Sequence, residues 1–204
     1  SIADNVVSLA HVYLQQPPAG PAYARGMRKL FRRLEPLMVS IQSRGGIDDL
    51  AGILSILGPR RGELGAETLL NSPEAWDTLV RMYEKTVPDC SFLDYFWTWR
   101  AQLGGLFACL LADLPAARVY HTISTGYAGL MAARGALETG RPCFVTEHGI
   151  YTNERRIEIT MADWLSANRP RALAVERERR DLKDLWIDTF VTYSQCVYSA
   201  ARSI

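Results

Sequence analysis

The most informative part of this sequence reads RVYHTISTGYAGLMAARGALETGRPCFVT, residues 118–146. Its first six and last four residues contain the Val, Ile and aromatic side chains that are typical of buried strands. Between them, apolar side chains recur at helical spacing until Gly140, Arg141 and Pro142 end the pattern. A strand, a helix and a second strand predict a β-α-β unit whose two strands lie parallel.

Most of the remaining sequence predicts helices. Residues 5–14 are the exception, because their Val and Leu content indicates a short strand that ends at Pro17. A helix is then expected from near Pro21, bent or restarted at Pro36. The other predicted helix starts are Asp48, Ser72, Ser91 and Asn153. Side chains expected on apolar helix faces include Tyr23, Trp76, Leu137, Ile157, Met161 and Trp164.

The end of the chain predicts one long helix beyond Arg169 and Pro170, followed by the start of another strand at Ser203. The apolar face of that helix comprises Leu182, Leu185, Trp186, Phe190, Tyr193 and Val197. The predicted class is therefore α/β, with a mostly helical part at residues 1–115 and a partial Rossmann-like part with a small parallel sheet at residues 116–204.

Parallel sheets are normally covered on both faces and contain more strands than the two or three expected here. We therefore expect the domain to continue beyond both ends of this sequence. The alternative is a compact, complete and mostly helical protein with a small sheet.

Composition excludes several classes of protein. A formal net charge of +1 does not suggest nucleic-acid binding. Four widely spaced cysteines indicate free thiols, and the absence of CxxC and HxxxH spacing argues against a structural metal site. No signal peptide is visible, and no apolar run approaches the roughly 18 residues of a membrane span. These features predict a cytoplasmic protein without a transmembrane segment.

Ligands of open parallel sheets bind in the crevice at the carboxyl ends of the strands. His121 and Ser124 stand at the end of the first predicted strand, and Glu147 and His148 follow the second. If the strands are neighbours, these four residues converge at one edge. His148 is the best functional candidate, because packing gives little reason for a titratable side chain before a glycine at a strand end.

Each candidate has an ordinary structural alternative. His121 lies within a predicted strand, where a hydrogen-bonded core histidine is an equal expectation. Ser124 or Thr125 would serve as the N-cap of the following helix. Glu147 would accept hydrogen bonds from backbone or arginine groups. Arg155, at the next helix start, would be either solvated or able to reach a phosphate or sugar.

Longer stretches resemble the PelF type of glycosyltransferase, a family with the GT-B fold of two Rossmann domains. They are YHTISTGYAGL at residues 120–130, ETGRP at residues 138–142 and TEHGIYTNERR at residues 146–156, and SFLDYFWTWR at residues 91–100 looks like the same family. The likeness is dense from about Ser91 to Trp164 and loose before it.

The resemblance implies the N-terminal, acceptor-side domain of a retaining glycosyltransferase. Such an enzyme takes a nucleotide sugar, here UDP-glucose, uses no metal or other cofactor, and acts in the cytoplasm on a saccharide acceptor. Its partners are membrane-bound components of exopolysaccharide synthesis. The donor would be held mainly by a domain beyond Ile204, and the family's usual glycine-rich loop is not in this sequence. This chain differs from the family pattern in lacking both the donor-holding domain and that loop, and we therefore expect it to be inactive on its own.

The resemblance also implies roles for single residues. Glu147 and His148 are the catalytic candidates, and His148 would line the cleft near the transferred sugar as a hydrogen-bonding and positioning group. The other residues near acceptor or donor would be His121, the facing loop of Ser124, Thr125 and Gly126, and Tyr151, Glu154 and Arg155.

Two other functions compete with this one. A non-catalytic module could dock a polysaccharide or a synthase partner, and it predicts an exposed apolar or aromatic patch on residues 20–115. The aromatic residues 95–99 are expected mainly in the core, with any exposed members suited to stacking on sugar rings. An α/β hydrolase using Ser124 ranks last, because the flanking glycines of G-x-S-x-G are missing.

Overall fold

The computed structural model describes residues 4–15, 17–162 and 180–204 of the chain. Within these ranges, eight α-helices, one 3-10 helix and three short strands are present. They are α1 (Met27–Ile41), α2 (Ile47–Leu57), the 3-10 helix (Gly58–Glu63), α3 (Ala66–Leu69), α4 (Pro73–Thr86), α5 (Phe92–Leu111), β1 (Tyr120–Thr122), α6 (Tyr127–Thr139), β2 (Cys143–Val145), α7 (Tyr151–Met161), α8 (Leu182–Ala200) and β3 (Ala201–Ser203). The predicted class is confirmed: the chain is helix-rich, with a small parallel sheet that is consistent with a partial Rossmann-like domain.

The three strands form one parallel sheet in the order β1-β2-β3. β1 pairs with β2 in a register that places Tyr120 beside Cys143. β3 pairs with the other side of β2 and begins at Ala201, slightly before the predicted start at Ser203. Because β1 and β2 are parallel neighbours, the loops that follow them emerge at the same edge of the sheet.

The sheet is buried on one face and open on the other. Tyr120, Cys143 and Val145 are buried, whereas His121 and Ile123 are exposed. This alternation follows from the two-residue period of a strand. α6 and α8 pack against the sheet. Side chains on the open face therefore remain accessible to solvent.

One large hydrophobic core joins the helical part of the chain to the β-α-β part. Met38 of α1, Leu106 of α5 and Val197 of α8 are all fully buried members of it. The helices supply this core through apolar residues at helical spacing. The division between residues 1–115 and 116–204 stays a prediction.

Two predicted helix starts are confirmed by the geometry of their caps. The Ser72 hydroxyl accepts a hydrogen bond from the Ala75 N–H at 3.2 Å at the start of α4. The Ser91 hydroxyl accepts one from the Asp94 N–H at 3.3 Å at the start of α5. Gly140 ends α6, as predicted, in the left-handed conformation that glycine tolerates best.

The predictions for the first forty residues were partly wrong. Residues 5–14 form no strand and most of them are exposed, since no neighbouring strand pairs with them in the described structure. α1 begins at Met27 rather than near Pro21, and it continues through Pro36 without interruption. Pro36 is exposed, so the carbonyl group that loses its helical partner there can be hydrated.

Two other predicted caps were also wrong. Gly46, not Asp48, is the N-cap of α2, because the Asp49 carboxylate accepts a hydrogen bond from the Gly46 N–H at 2.9 Å and closes the turn earlier. Ile150, not Asn153, precedes α7, because the Asn153 N–H donates to the Ile150 carbonyl at 2.8 Å.

The apolar faces were predicted better for long helices than for short ones. The predicted face of α8 is confirmed, with every member buried or half-buried. In α7, Ile159 is buried while the expected Ile157 and Met161 are exposed, because a different side of this helix lies against α8. Tyr23, Trp76 and Leu137 are likewise exposed. Trp164, Arg169 and Pro170 lie outside the described residues.

Candidate functional site

The loops that follow β1 and β2 meet at the carboxyl edge of the sheet. The Thr146 N–H donates to the Thr122 carbonyl at 2.9 Å, which continues the pairing of the two strands beyond their last residues. On the open face, the His121 Nε2 lies 2.9 Å from the Thr146 Oγ1. His121 is exposed, so the alternative of a core histidine does not hold.

The carboxylate of Glu147 connects both loops to α8. Its Oε1 accepts hydrogen bonds from the Thr125 hydroxyl at 3.1 Å and from the Tyr151 N–H at 3.3 Å. Its Oε2 accepts one from the Tyr198 hydroxyl. The Ser194 hydroxyl in turn donates to the Thr125 Oγ1 at 2.8 Å. Donors from three parts of the chain therefore hold this carboxylate, and no arginine takes part among the described residues.

The Tyr198 hydroxyl remains a hydrogen-bond donor to this carboxylate over a wide range of pH. Partial burial, together with the hydrogen bond to Glu147 and its negative charge, raises the pKa of Tyr198 to about 12. The hydroxyl therefore stays protonated throughout the neutral range and keeps donating to Glu147.

His148 lies next to this network but points away from it. Its side chain is exposed, whereas that of Glu147 is half-buried, as expected for neighbouring residues that face opposite sides of a chain segment. No other residue that the structure describes hydrogen-bonds to the His148 ring. An imidazole without an internal partner can donate to or accept from a ligand.

The turn between β1 and α6 is fixed by Thr122 rather than by a helix cap. The Thr122 hydroxyl donates to the Ser124 carbonyl at 2.7 Å and accepts from the Ser124 N–H at 3.3 Å. Neither Ser124 nor Thr125 caps α6, whose N-cap is Gly126 without a side-chain hydrogen bond. The expectation of a Ser or Thr cap was therefore wrong, because the Thr125 hydroxyl is directed to Glu147. Ser124 is half-buried at the rim.

Tyr151 connects the second loop to the first and holds Arg155. A β-carbon on Gly126 would lie 2.6 Å from the Tyr151 hydroxyl, so this close approach requires glycine. The Arg155 Nε donates to the same hydroxyl at 2.9 Å, and its Nη1 pairs with Glu158 at 2.7 Å. The Arg155 guanidinium also lies 5.7 Å from the ring centre of Phe190. Arg155 is thus engaged with protein groups rather than held open for a phosphate.

Two charged side chains of α7 remain accessible at this edge. Glu154 is exposed in the first turn of the helix. Arg156 is also exposed, and it has no ion-pair partner within the described ranges. Arg156 is therefore a better candidate than Arg155 for meeting an anionic ligand.

The contribution of α8 to this site was not predicted from the sequence. Ser194 and Tyr198 are four residues apart and so lie on one side of the helix, the side that faces Thr125 and Glu147. Two hydroxyl-bearing residues at that spacing beside an apolar face are a weak signal. Only the contact with a loop far away in the sequence shows their role.

The described residues contain no cluster of three or more His, Cys, Asp or Glu side chains arranged to hold a metal ion. In the same part of the chain, no helix has both the length and the hydropathy needed to cross a membrane.

A family model described as "Domain of unknown function (DUF3492)" matches residues 1–204. Neither the curated proteins nor the solved structures contain a match to this chain.

Proposed function

The chain belongs to the DUF3492 family, and we propose that it forms the acceptor-side domain of a retaining glycosyltransferase of the PelF type. The full-length enzyme would transfer glucose from UDP-glucose to a growing polysaccharide in the cytoplasm, beside membrane-bound synthase components. Two lines of support come from outside the geometry. Residues 146–156 resemble that family closely, and the DUF3492 domain is associated with glycosyltransferase-like proteins.

The observation that carries the proposal is the shared rim at the carboxyl edge of the sheet. There, His148 is exposed on a loop whose inner carboxylate, that of Glu147, is held by hydrogen bonds from Thr125, Tyr151 and Tyr198. Ligands of open parallel sheets occupy this kind of edge. The arrangement supports a site in which a fixed loop presents an imidazole to a bound sugar.

The proposed role of His148 is to hold and polarise the reacting sugar. Retaining transfer without a protein nucleophile develops positive charge on the sugar ring and negative charge on the leaving phosphate. A positioned hydrogen-bonding group lowers the barrier because it is already oriented when that charge develops. His121 and Ser124 lie at the same rim and would contact the acceptor, while Arg156 would face anionic parts of the substrates.

The decisive experiment uses the full-length protein that carries this chain. Release of UDP from UDP-glucose, with and without a saccharide acceptor, is measured for the wild type and for His148→Gln. We expect His148→Gln to lower kcat/KM by about 100-fold, the size seen when a group that stabilises the transition state is removed. His11→Gln is the matched control, because His11 is exposed in residues 4–15 and should leave turnover unchanged. If His148→Gln turned over UDP-glucose as fast as His11→Gln and the wild type, His148 would not be part of the site.

Donor binding separates this domain from the rest of the enzyme. If the donor is held by another domain, the chain of residues 1–204 alone should bind UDP-glucose weakly or not at all in a calorimetric titration. Tight binding to this chain would show that the proposed location of the donor site is wrong.

A second candidate function, a docking module, is favoured by an exposed aromatic patch on α4 and α5. Trp76 and Trp97 are 50% and 61% exposed, and both rings contact Phe96, with centroids 6.1 Å and 5.0 Å away. The Arg100 guanidinium lies 5.6 Å from the same ring. Exposed aromatic and arginine side chains that cluster in this way are enriched at binding surfaces.

The two functions predict different effects of one substitution. Trp97→Ala should leave UDP release unchanged if the chain works only through the sheet edge. If the chain is a docking module, Trp97→Ala should weaken retention on immobilised polysaccharide, while Tyr23→Ala, which removes an exposed aromatic ring outside the patch, should not.

A further inference from the structure

We propose that α8 positions the His148 loop, with Tyr198 and Ser194 as positioning residues and Glu147 as the anchor they hold. Glu147 is then a fixed structural carboxylate rather than a group that transfers protons. The meaning of this arrangement for catalysis rests on the proposed function, but the contacts themselves do not.

The direction of each hydrogen bond supports this assignment. Ser194 and Thr125 are both buried, and the Ser194 hydroxyl donates to the Thr125 Oγ1 at 2.8 Å. The proton of Thr125 is therefore free to point at the Glu147 Oε1, 3.1 Å away. An ionised carboxylate can only accept, so every group around it must be a donor. Ser194 thus orients Thr125, and Thr125 fixes one oxygen of Glu147.

The occupancy of the carboxylate argues against proton transfer by Glu147. Its Oε1 already accepts from two donors, the Thr125 hydroxyl and the Tyr151 N–H. A proton on Oε2 would compete with the hydroxyl of Tyr198. Three donors from the surrounding chain therefore already surround the two oxygens of Glu147, on the inner side of the loop rather than on the open side where a substrate would lie.

Holding Glu147 in place also determines the position of the next residue, His148. Fixing the Glu147 side chain on the inner side of the loop leaves His148 on the outer side, where it is exposed. Tyr151 ties the far end of the same loop to Glu147 through its N–H. Small displacements of a positioning group lower turnover strongly, by about 100-fold for 1 Å in favourable cases. α8 therefore controls how precisely His148 meets a substrate.

The test compares Tyr198→Phe with Tyr83→Phe in the full-length protein. Both substitutions remove one phenolic hydroxyl and keep the ring, but the Tyr83 hydroxyl bonds to the Pro88 and Cys90 carbonyls in the helical part of the chain. Three quantities are measured: the rate of amide hydrogen exchange at residues 146–151, and kcat and KM with UDP-glucose. Circular dichroism checks that both variants are folded.

We expect Tyr198→Phe to speed exchange at residues 146–151 and to lower kcat about tenfold, the effect of losing one hydrogen bond to a charged group. KM for UDP-glucose should stay within about twofold, because a positioning residue does not touch the donor. Tyr83→Phe should change none of the three quantities. Adding Tyr198→Phe to Glu147→Gln should cost little more than Glu147→Gln alone, since both act through one contact.

The outcomes separate this inference from the proposed function. Unchanged exchange at residues 146–151 in Tyr198→Phe would overturn the positioning role, whatever the enzyme does. Faster exchange in a full-length protein that transfers no sugar from UDP-glucose would support the positioning role and reject the proposed function. Faster exchange with unchanged kcat would show that α8 holds the loop but that His148 does not depend on it, which also overturns the inference.

Discussion

Replacement of Arg134 by methionine should destabilise the whole domain without touching the rim residues. Arg134 lies in α6 and is 1% exposed. Its Nη1 donates to the Cys109 carbonyl at 2.8 Å and to the Ala112 carbonyl at 2.7 Å, and its Nε pairs with Glu138 at 3.2 Å. A buried guanidinium therefore satisfies carbonyl groups at the C-terminus of α5, where the helix has no further N–H groups to offer.

The expected loss in the free energy of unfolding follows from the groups that Arg134→Met leaves without a partner. Methionine preserves most of the apolar stem, but the carbonyls of Cys109, in the last turn of α5, and of Ala112, its C-cap, both lose a charged donor. Each hydrogen bond to a charged group contributes about 1.5–3 kcal/mol, and breaking a buried ionic contact costs about 3–5 kcal/mol. Arg61 still pairs with Glu138, so that carboxylate is not left alone. We therefore expect the free energy of unfolding to fall by about 3 kcal/mol, or Tm by about 6–12 °C.

Urea denaturation followed by circular dichroism measures this change directly. Arg118→Met is the matched control, because Arg118 is exposed and has no ion pair in the described structure, so it should change stability by less than about 0.5 kcal/mol. Arg134→Lys should fall between the two, since a single ammonium group cannot reproduce the fork of a guanidinium. A loss below about 1 kcal/mol in Arg134→Met would refute the view that this side chain completes α5.

Three further predictions concern packing, pH and thiol reactivity. Gly129→Ala should cost about 1–3 kcal/mol in urea denaturation, because its β-carbon would lie 2.7 Å from a side-chain carbon of Val197, whereas Gly62→Ala, which meets open space, should not. The pKa of Tyr198 is raised from 10.0 to about 12, mainly by burial. The protonated Tyr198 hydroxyl contributes fully to the free energy of unfolding below pH 10.0, and this contribution is lost as the pH rises towards 12. The wild type should therefore lose more stability over that pH range than Tyr198→Phe. Alkylation with peptide mapping should modify Cys90 first, since the other three thiols are buried and burial raises their pKa.

The sheet and the location of the candidate site could be predicted because they depend on local patterns. Two apolar runs separated by a helix of suitable length leave few alternatives to parallel strands. Once β1 and β2 are parallel neighbours, His121 and His148 must emerge near one edge. Long apolar faces such as that of α8 were also recognisable, because their period is sustained over many residues.

The partners of the polar side chains could not be predicted, because they depend on contacts between distant parts of the chain. Glu147 and Tyr198 are 51 positions apart, and no local signal indicates that they meet. Arg155 illustrates the same limit. Its position after a strand-end loop suggested a ligand contact, but Tyr151 and Glu158 occupy its guanidinium. The buried faces of short helices were predicted wrongly for a related reason, since α7 has too few turns for its apolar pattern to establish which side faces the core.

The two polar anchors of α6 act on different properties of the molecule. Arg134 ties the later part of α6 to the end of α5, whereas the turn before α6 is tied to α8 through Thr125 and Ser194. Loss of Arg134 should therefore speed hydrogen exchange across the whole domain in proportion to global stability. Loss of the Tyr198 hydroxyl, which bonds to Glu147 one turn along α8 from Ser194, should speed exchange mainly in the loops at the rim. If both variants loosened the same residues to the same extent, the sheet edge would unfold only together with the core. In that case α8 could not act separately on the His148 loop.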